Sequence, residues 1–168
     1  PKEEVMKIRH FTGKSNSGVI VEGHANVMIR LSQCCQPIPG DTIIGFITRG
    51  RGITVHKKNC PSLARLADEK ERFINIVWAE AQETTYPVKI AVYADDRLNL
   101  LKDIADRIAE LKVNILKIDA DVTPGGDAAF KFVIEVTSLA HVTHITNELR
   151  KVKGVRRAQK LNEKVVIK

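Results

Sequence analysis

The order in which residues 86–161 switch between a two-residue and a 3.6-residue hydrophobic period restricts the fold more than any other feature of this chain. Tyr86–Ala94 alternates as a strand, with Val88, Ile90 and Val92 on one face. Leu98, Leu101, Ile104, Ala105, Ile108 and Leu111 then recur at helical spacing, and Asp95 and Asp96 before them suit the positive end of a helix. Val113–Val122 returns to alternation, with Leu116, Ile118, Ala120 and Val122 expected on the inner face. Pro124-Gly125-Gly126-Asp127 is a hairpin turn, after which Phe130, Phe132, Ile134 and Val136 continue as a strand. Val142, Ile145, Leu149 and Val152 mark a second helix, and Val155–Leu161 closes with a strand. The order βαββαβ predicts a ferredoxin-like unit, an antiparallel sheet with two helices on one face. Phe130 and Phe132 share the inward face, and Tyr93 alone opposite them is no platform for stacking RNA bases.

The first half has a different grammar. Val19–Val21, Val27–Leu31, Ile43–Thr48, Ile53–His56 and Arg72–Trp78 read as short strands, with Gly23 near a turn. Pro61 suits the first position of a short helix through Ala67, with Leu63 and Leu66 on its inner side. Pro37, Pro39 and Gly40 forbid regular structure and predict a rigid loop. The polar stretch 79–85 separates the halves. The expected organisation is α+β: an N-terminal extension (1–17), a small strand-rich Cys/His domain (18–78), a linker (79–85), the ferredoxin-like domain (86–161) and a tail (162–168).

Residues 34–61 hold all three cysteines, one of the five histidines and four of the ten glycines. Cys34, Cys35, His56 and Cys60 supply three thiols and an imidazole, the donor set of a tetrahedral zinc site. His56 and Cys60 are spaced for a knuckle, but neighbours such as Cys34 and Cys35 share a metal only where the backbone folds sharply. The alternative is that Cys34 and Cys60 are small buried apolar residues and His56 a structural hydrogen-bonding group. A catalytic thiol is disfavoured, because no second histidine or carboxylate sits beside one at a motif-defined position. Arg49-Gly50-Arg51-Gly52 forms a turn whose guanidiniums, with Lys57 and Lys58 nearby, either contact backbone phosphates or form a solvated tip. A second cationic cluster, Arg150, Lys151, Lys153, Arg156 and Arg157, follows the last helix and is assigned a structural role at its negative end. No phosphate loop, dinucleotide fingerprint or nucleophile elbow is present, and no active site is read here.

The bulk composition narrows the class. No apolar run approaches the ~20 residues of a membrane span. Lys and Arg number 27 against 20 Asp and Glu, a net charge of +7 that permits an acidic partner such as RNA. Three cysteines, two of them adjacent, argue against a secreted disulfide framework and for a reducing cytosol. A start at Pro1 predicts a piece of a longer chain.

Gly18-Val-Ile-Val-Glu-Gly23, Cys34-Cys-Gln-Pro-Ile-Pro-Gly-Asp41 and Thr48-Arg-Gly-Arg-Gly-Ile-Thr-Val-His56 with Cys60-Pro61 resemble the conserved-cysteine region of RelA/SpoT-type proteins, the (p)ppGpp synthetases and hydrolases of the stringent response. Asp96-Arg97, Leu100-Leu101-x-Asp103-Ile104 and Asn114-Ile115 resemble the ACT domain that follows it in that family. The resemblance implies a noncatalytic, cytoplasmic region behind hydrolase, synthetase and TGS domains. Such a region docks on a ribosome carrying uncharged tRNA and restrains the synthetase when that signal is absent. Arg49, Arg51, Lys57 and Lys58 are the expected contacts to ribosomal RNA or tRNA. ACT domains elsewhere bind amino acids at a paired interface. That implies an ACT–ACT homodimer holding a branched-chain amino acid at Asp96, Asn99, Leu100, Asn114 and Ile115. Asn99 stands where amino-acid-binding ACT domains favour glycine.

Overall fold

The computed structural model describes residues 18–21, 27–80 and 84–165. The expected extension 1–17, the turn at Gly23, and parts of the expected linker and tail lie outside the described residues. The first unit contains β1 (Val19–Val21), β2 (Ile29–Leu31), β3 (Ile43–Thr48), β4 (Gly52–Lys57), two 3-10 turns (Pro61–Leu66 and Lys70–Arg72), β5 (Phe73–Ile74) and β6 (Ile76–Trp78). One sheet runs β2-β4-β3-β5 and a two-stranded ribbon pairs β1 with β6. Their apolar faces meet in a small core of Val19, Val21, Ile43, Ile53, Val55 and Ile76. The β2–β4 pair is parallel and very close at its start. Gly52 has φ +80°, and a Cβ there would stand 2.1 Å from the Met28 carbonyl oxygen, so only glycine fits.

Two expectations need correction in this unit. Arg72–Trp78 is not one strand: the chain breaks at Asn75, so that Ile74 pairs with Gly45 of β3 and Ile76 pairs with Val21 of β1. A single extended run cannot serve two differently oriented sheets. The helix after Pro61 is of 3-10 type, and Leu63 and Leu66 are only half buried.

The second unit follows the expected order: β7 (Tyr86–Asp95), α1 (Leu100–Glu110), β8 (Ile115–Val122), β9 (Asp127–Val136), α2 (Leu139–Arg150) and β10 (Val155–Leu161). The antiparallel sheet runs β10-β7-β9-β8. Val88, Ile90 and Val92 meet Phe130, Phe132 and Ile134 under Leu100, Ile104 and Ile108 of α1 and Val142, Ile145 and Leu149 of α2. Ser138 caps α2, its hydroxyl accepting from the His141 N–H at 3.1 Å. No helix among the described residues is long and apolar enough to cross a membrane.

Here too the structure departs from expectation. Asp95 and Asp96 do not cap α1; its N-cap is Asn99, in the left-handed region at φ 63°, with no side-chain cap bond. Asp95 instead ends β7 and pairs with Arg156 at 3.3 Å. Leu98 precedes the helix and is 86% exposed, and Leu101 lies off the buried stripe. The expected inner face of β8 is open as well. Ile118, Ala120 and Val122 do sit opposite Phe132, Phe130 and Ala128, but β8 is an edge strand that neither helix covers. Leu116 falls in the irregularity between Ile115 and Lys117. The cations after α2 do hold structure together. Arg156 also pairs with Asp127, Arg157 lies 4.5 Å from the Tyr93 ring centroid, and Arg150 donates to the Ala158 carbonyl at 2.7 Å.

The loop at Pro37–Gly40 joins the two units. Ile38 is 2% exposed and lies in the core of the second unit, beside Tyr86 and Val88. The Leu139 N–H, at the first residue of α2, donates to the Pro39 carbonyl at 2.7 Å. Gly40 has φ +103°, and a Cβ there would lie 2.9 Å from the Leu139 Cβ. The Trp78 indole donates to the Asp41 carbonyl at 3.0 Å, and its ring meets Tyr86 edge to face.

Candidate metal centre and basic hairpin

Three backbone features gather the four candidate ligands. After β2 the chain turns tightly, the Gln36 N–H bonding to the Ser32 carbonyl at 2.9 Å, with Gln36 in the left-handed region. That turn is the sharp fold adjacent cysteines need, and it aims Cys34 and Cys35 at one point. His56 comes from the end of β4. Cys60 is the N-cap of the first 3-10 turn, and its N–H is held by the Lys57 carbonyl at 3.0 Å. The four donor atoms all lie within 4.8 Å of one another. Cys34 Sγ is 3.4 Å from Cys60 Sγ and 3.5 Å from His56 Nδ1, and Cys35 Sγ is 3.8 Å from the same nitrogen.

These spacings suit a metal. With Zn–S near 2.3 Å and Zn–N near 2.0 Å, the edges of a tetrahedron are roughly 3.5–3.8 Å. Burial lowers the His56 pKa, which keeps the imidazole neutral and able to ligate. Burial pushes the Cys34 thiol up, but hydrogen bonding from Ser32, Ser62, Cys60 and Cys35 outweighs it and leaves the pKa lowered. Cys35 is pushed up to about 12, chiefly by burial, although the Lys57 N–H opposes this at 3.3 Å. A divalent cation supplies the charge that stabilises such a thiolate. The Ser32 hydroxyl, 2.7 Å from Cys34 Sγ, and the Lys57 N–H orient the sulfurs from outside the donor set. The residues present therefore fit a closed Cys3His metal site.

The four cations expected to act together are separated. Arg49 and Arg51 occupy the exposed β3–β4 tip, and among the described residues neither side chain pairs with a carboxylate. Lys57 and Lys58 lie at the other end of the hairpin, about 16 Å away at the usual strand rise. Lys57 is mostly buried and pairs with Asp41 at 3.3 Å, so it departs from the expected role; Lys58 is exposed. The centre thus does not hold the Arg49–Gly52 turn, which is at the far end of the sheet. It stands beside the loop that enters the second unit. Lys160, from the last strand, is also drawn into this seam; burial, then the Lys57 ammonium, lowers its pKa.

The residues expected to hold an amino acid do not meet within one chain. Asp96–Leu100 lies at the Asp95 end of the sheet, whereas Ile115 is level with Ile134 and Val88. That is about 23 Å along β7 at the usual rise. The Asn114 amide is held by Glu135 at 2.8 Å. Sequence reasoning missed Ser32, Ile38, Asp41 and Lys160. Ile38 carried a signal: an isolated large apolar residue between two prolines has no local core and must find one elsewhere.

Comparison with known families assigns the units separately. Residues 19–79 match the RelA/SpoT RIS domain and residues 82–159 match the ACT domain, so the chain is a RIS–ACT regulatory pair. It is 42% identical over 140 residues to the bifunctional (p)ppGpp synthase/hydrolase RelA of Mycobacterium tuberculosis, covering 82% of this chain and 19% of that one. It is 40% identical over 151 residues to the GTP pyrophosphokinase of Escherichia coli K12, covering 89% and 20%. The solved ACT domain from GTP pyrophosphokinase of Chlorobium tepidum is similar at 24% identity and a TM-score of 0.42, covering 46% of this chain and 100% of that one. The chain is homologous to the C-terminal region of RelA/SpoT GTP pyrophosphokinases and spans about a fifth of the length of these curated relatives.

Proposed function

We propose that this chain is the docking and sensing region of a cytoplasmic stringent-response enzyme, one that makes (p)ppGpp from ATP and GDP or GTP and in bifunctional members hydrolyses it. In this reading the RIS domain meets ribosomal RNA or uncharged tRNA and the ACT domain relays that contact to the TGS and catalytic domains of the parent chain. The observation that carries it is the β3–β4 tip, where Arg49 and Arg51 are exposed on a hairpin fixed to a rigid sheet. A guanidinium without an ion-pair partner among the described residues is available to a phosphate. Lys58 adds charge at the other end; Lys57 is excluded by its pairing with Asp41. Cys34, Cys35, His56 and Cys60 would hold zinc, whose role is to fix the fold, not to react. Binding to ribosomes carrying deacylated tRNA tests the reading. Arg49→Glu with Arg51→Glu should weaken it about tenfold or more and flatten its salt dependence. Unchanged affinity and salt slope would remove these residues from the interface. Metal analysis of protein purified without chelator should find one zinc per chain; less than about a tenth of an equivalent would remove the metal.

A second reading, an ACT homodimer that senses a branched-chain amino acid, is favoured by β8. Among the described residues its outer edge is unpaired and Ile118 and Val122 are exposed on it, while Leu98 and Leu101 are exposed around the start of α1. Pairing β8 with its copy about a two-fold axis brings Asn114-Ile115 of one chain beside Val122 of the other. That is the end where the Asp96 N–H is tied to Gly126 and the Asp96–Leu100 loop lies. Asn99 already adopts the left-handed backbone that glycine would supply. Calorimetry with valine, isoleucine and leucine on a verified dimer decides the ligand. Ile118→Lys should yield monomers by sedimentation; an unchanged dimer would place the interface elsewhere.

A further inference from the structure

The metal ligands and the residues seated on the ACT domain belong to one closed ring. Cys35 and Ile38 are three residues apart along the loop that forms one side of it. The ring returns through Lys57, whose backbone N–H is bonded to Cys35 Sγ and whose ammonium pairs with Asp41. Asp41 in turn locks the loop tip: its carboxylate accepts from the Ile38 N–H at 2.9 Å, and its own N–H donates to the Ile38 carbonyl at 3.0 Å. Lys57 directly follows His56, so a cation bound by Cys35 and His56 fixes both ends of the ring together.

What the ring presents to the ACT domain is specific. Ile38 fills the bottom of the ACT core, Pro39 supplies an acceptor to the Leu139 N–H, and the absence of a Cβ at Gly40 permits contact with Leu139. The Gln36 side chain accepts from the Val165 N–H at 3.2 Å, past the last strand. The Leu139 N–H lies in the first turn of α2, where the helix itself offers no acceptor.

We propose that metal occupancy of the Cys34–Cys35–His56–Cys60 centre and the seating of residues 37–40 on the ACT domain are thermodynamically linked, so that the loop carries the state of the RIS domain to the first turn of α2. The inference rests on the metal reading above. Loss of the metal lets the Cys34–Cys35 turn relax, the ring loses its fixed geometry, and the Pro39 carbonyl leaves Leu139. Linkage is reciprocal: by whatever factor the metal tightens the seat, the seat tightens the metal.

Amide exchange on the zinc-loaded and chelator-treated chain tests this directly. Zinc removal should speed exchange of the Leu139 N–H by about tenfold or more, the usual size of such couplings. The Val142 N–H, bonded within α2 to the Ser138 carbonyl, should stay as it was. Equal acceleration of both amides would mean that the helix itself is lost, and would overturn the proposal. So would an unmoved Leu139 in a chain that takes up one equivalent of zinc, which leaves the metal reading standing. A wild-type chain that takes up no zinc overturns both. In the converse experiment, Ile38→Ser should bind zinc about tenfold more weakly at unchanged stoichiometry in competition with a chromogenic chelator. Equal affinity would count against the linkage.

Discussion

Gly40 and His141 show how single residues here carry conformational and protonation constraints. Gly40 combines a positive φ with a neighbour that leaves no room for a methyl group. Gly40→Ala is therefore expected to cost about 1–3 kcal/mol, from left-handed strain and from displacing Leu139. Urea unfolding followed by the helical circular-dichroism signal measures it; a change under half a kcal/mol would show that the loop slides aside. His141 is half buried, and its Nδ1 accepts from the Thr137 N–H at 3.2 Å, which needs the neutral ring. Burial, and then the nearby His144, hold its pKa below the ordinary value near 6.5. Protonation thus favours the unfolded chain. The stability His141 contributes is full above about pH 6.5 and is lost as the pH falls through its folded-state pKa. His141→Gln should flatten this part of the pH profile between about 7.5 and 5 relative to wild type, so that acid loss of metal, common to both proteins, cancels.

At the scale of elements, the 3-10 turn at Lys70–Arg72 acts as a clamp on β3. The Arg72 side chain donates from Nε to the Ile47 carbonyl at 2.8 Å, pairs with Glu69, and lies 4.6 Å from the Phe46 ring centroid. Arg72→Lys keeps the charge and loses the flat stacked group, and should destabilise the RIS domain by about 1 kcal/mol in chemical denaturation. An unaffected midpoint would make the stack ornamental. Element order in the ACT domain was legible because strand and helix periods differ and both helices are amphipathic. What periodicity could not convey was cover. Ile118 and Val122 alternate as core residues do, yet periodicity cannot tell a central strand from an edge beyond the reach of both helices. The ligand set was legible from residue types alone. Its position was not, because Cys34-Cys35 converge only through a tertiary turn, and because the far end of β4 faces the ACT domain and not the arginine tip. The break at Asn75 was hidden for a similar reason: residues on both sides of it favour extended backbone, and only the sheet partners differ.

At the scale of the whole molecule, Ile38 makes two domains share one core. Trp78, the sole tryptophan, reports on the seam through its bond to Asp41, whereas both α-helices belong to the ACT domain. In the wild type, tryptophan fluorescence and helical circular dichroism should follow one urea transition. Ile38→Ala removes a fully enclosed side chain, at a cost of about 2–5 kcal/mol, and should split the two signals into separate transitions. Coincident curves in that variant would mean that the seam is held without the loop.

The open edge of β8 has a consequence for solubility as well as for pairing. A strand bare along its rim is a template on which further chains can add, and unlimited addition ends in fibres. Lys117, Asp119 and Asp121 alternate along the outward face of β8, with Lys117 and Asp119 3.1 Å apart, and the irregularity at Leu116 spoils a long flat register. Such gatekeepers disfavour open-ended addition of strands at this edge. Neutralising them would turn a discriminating edge into an indiscriminate one.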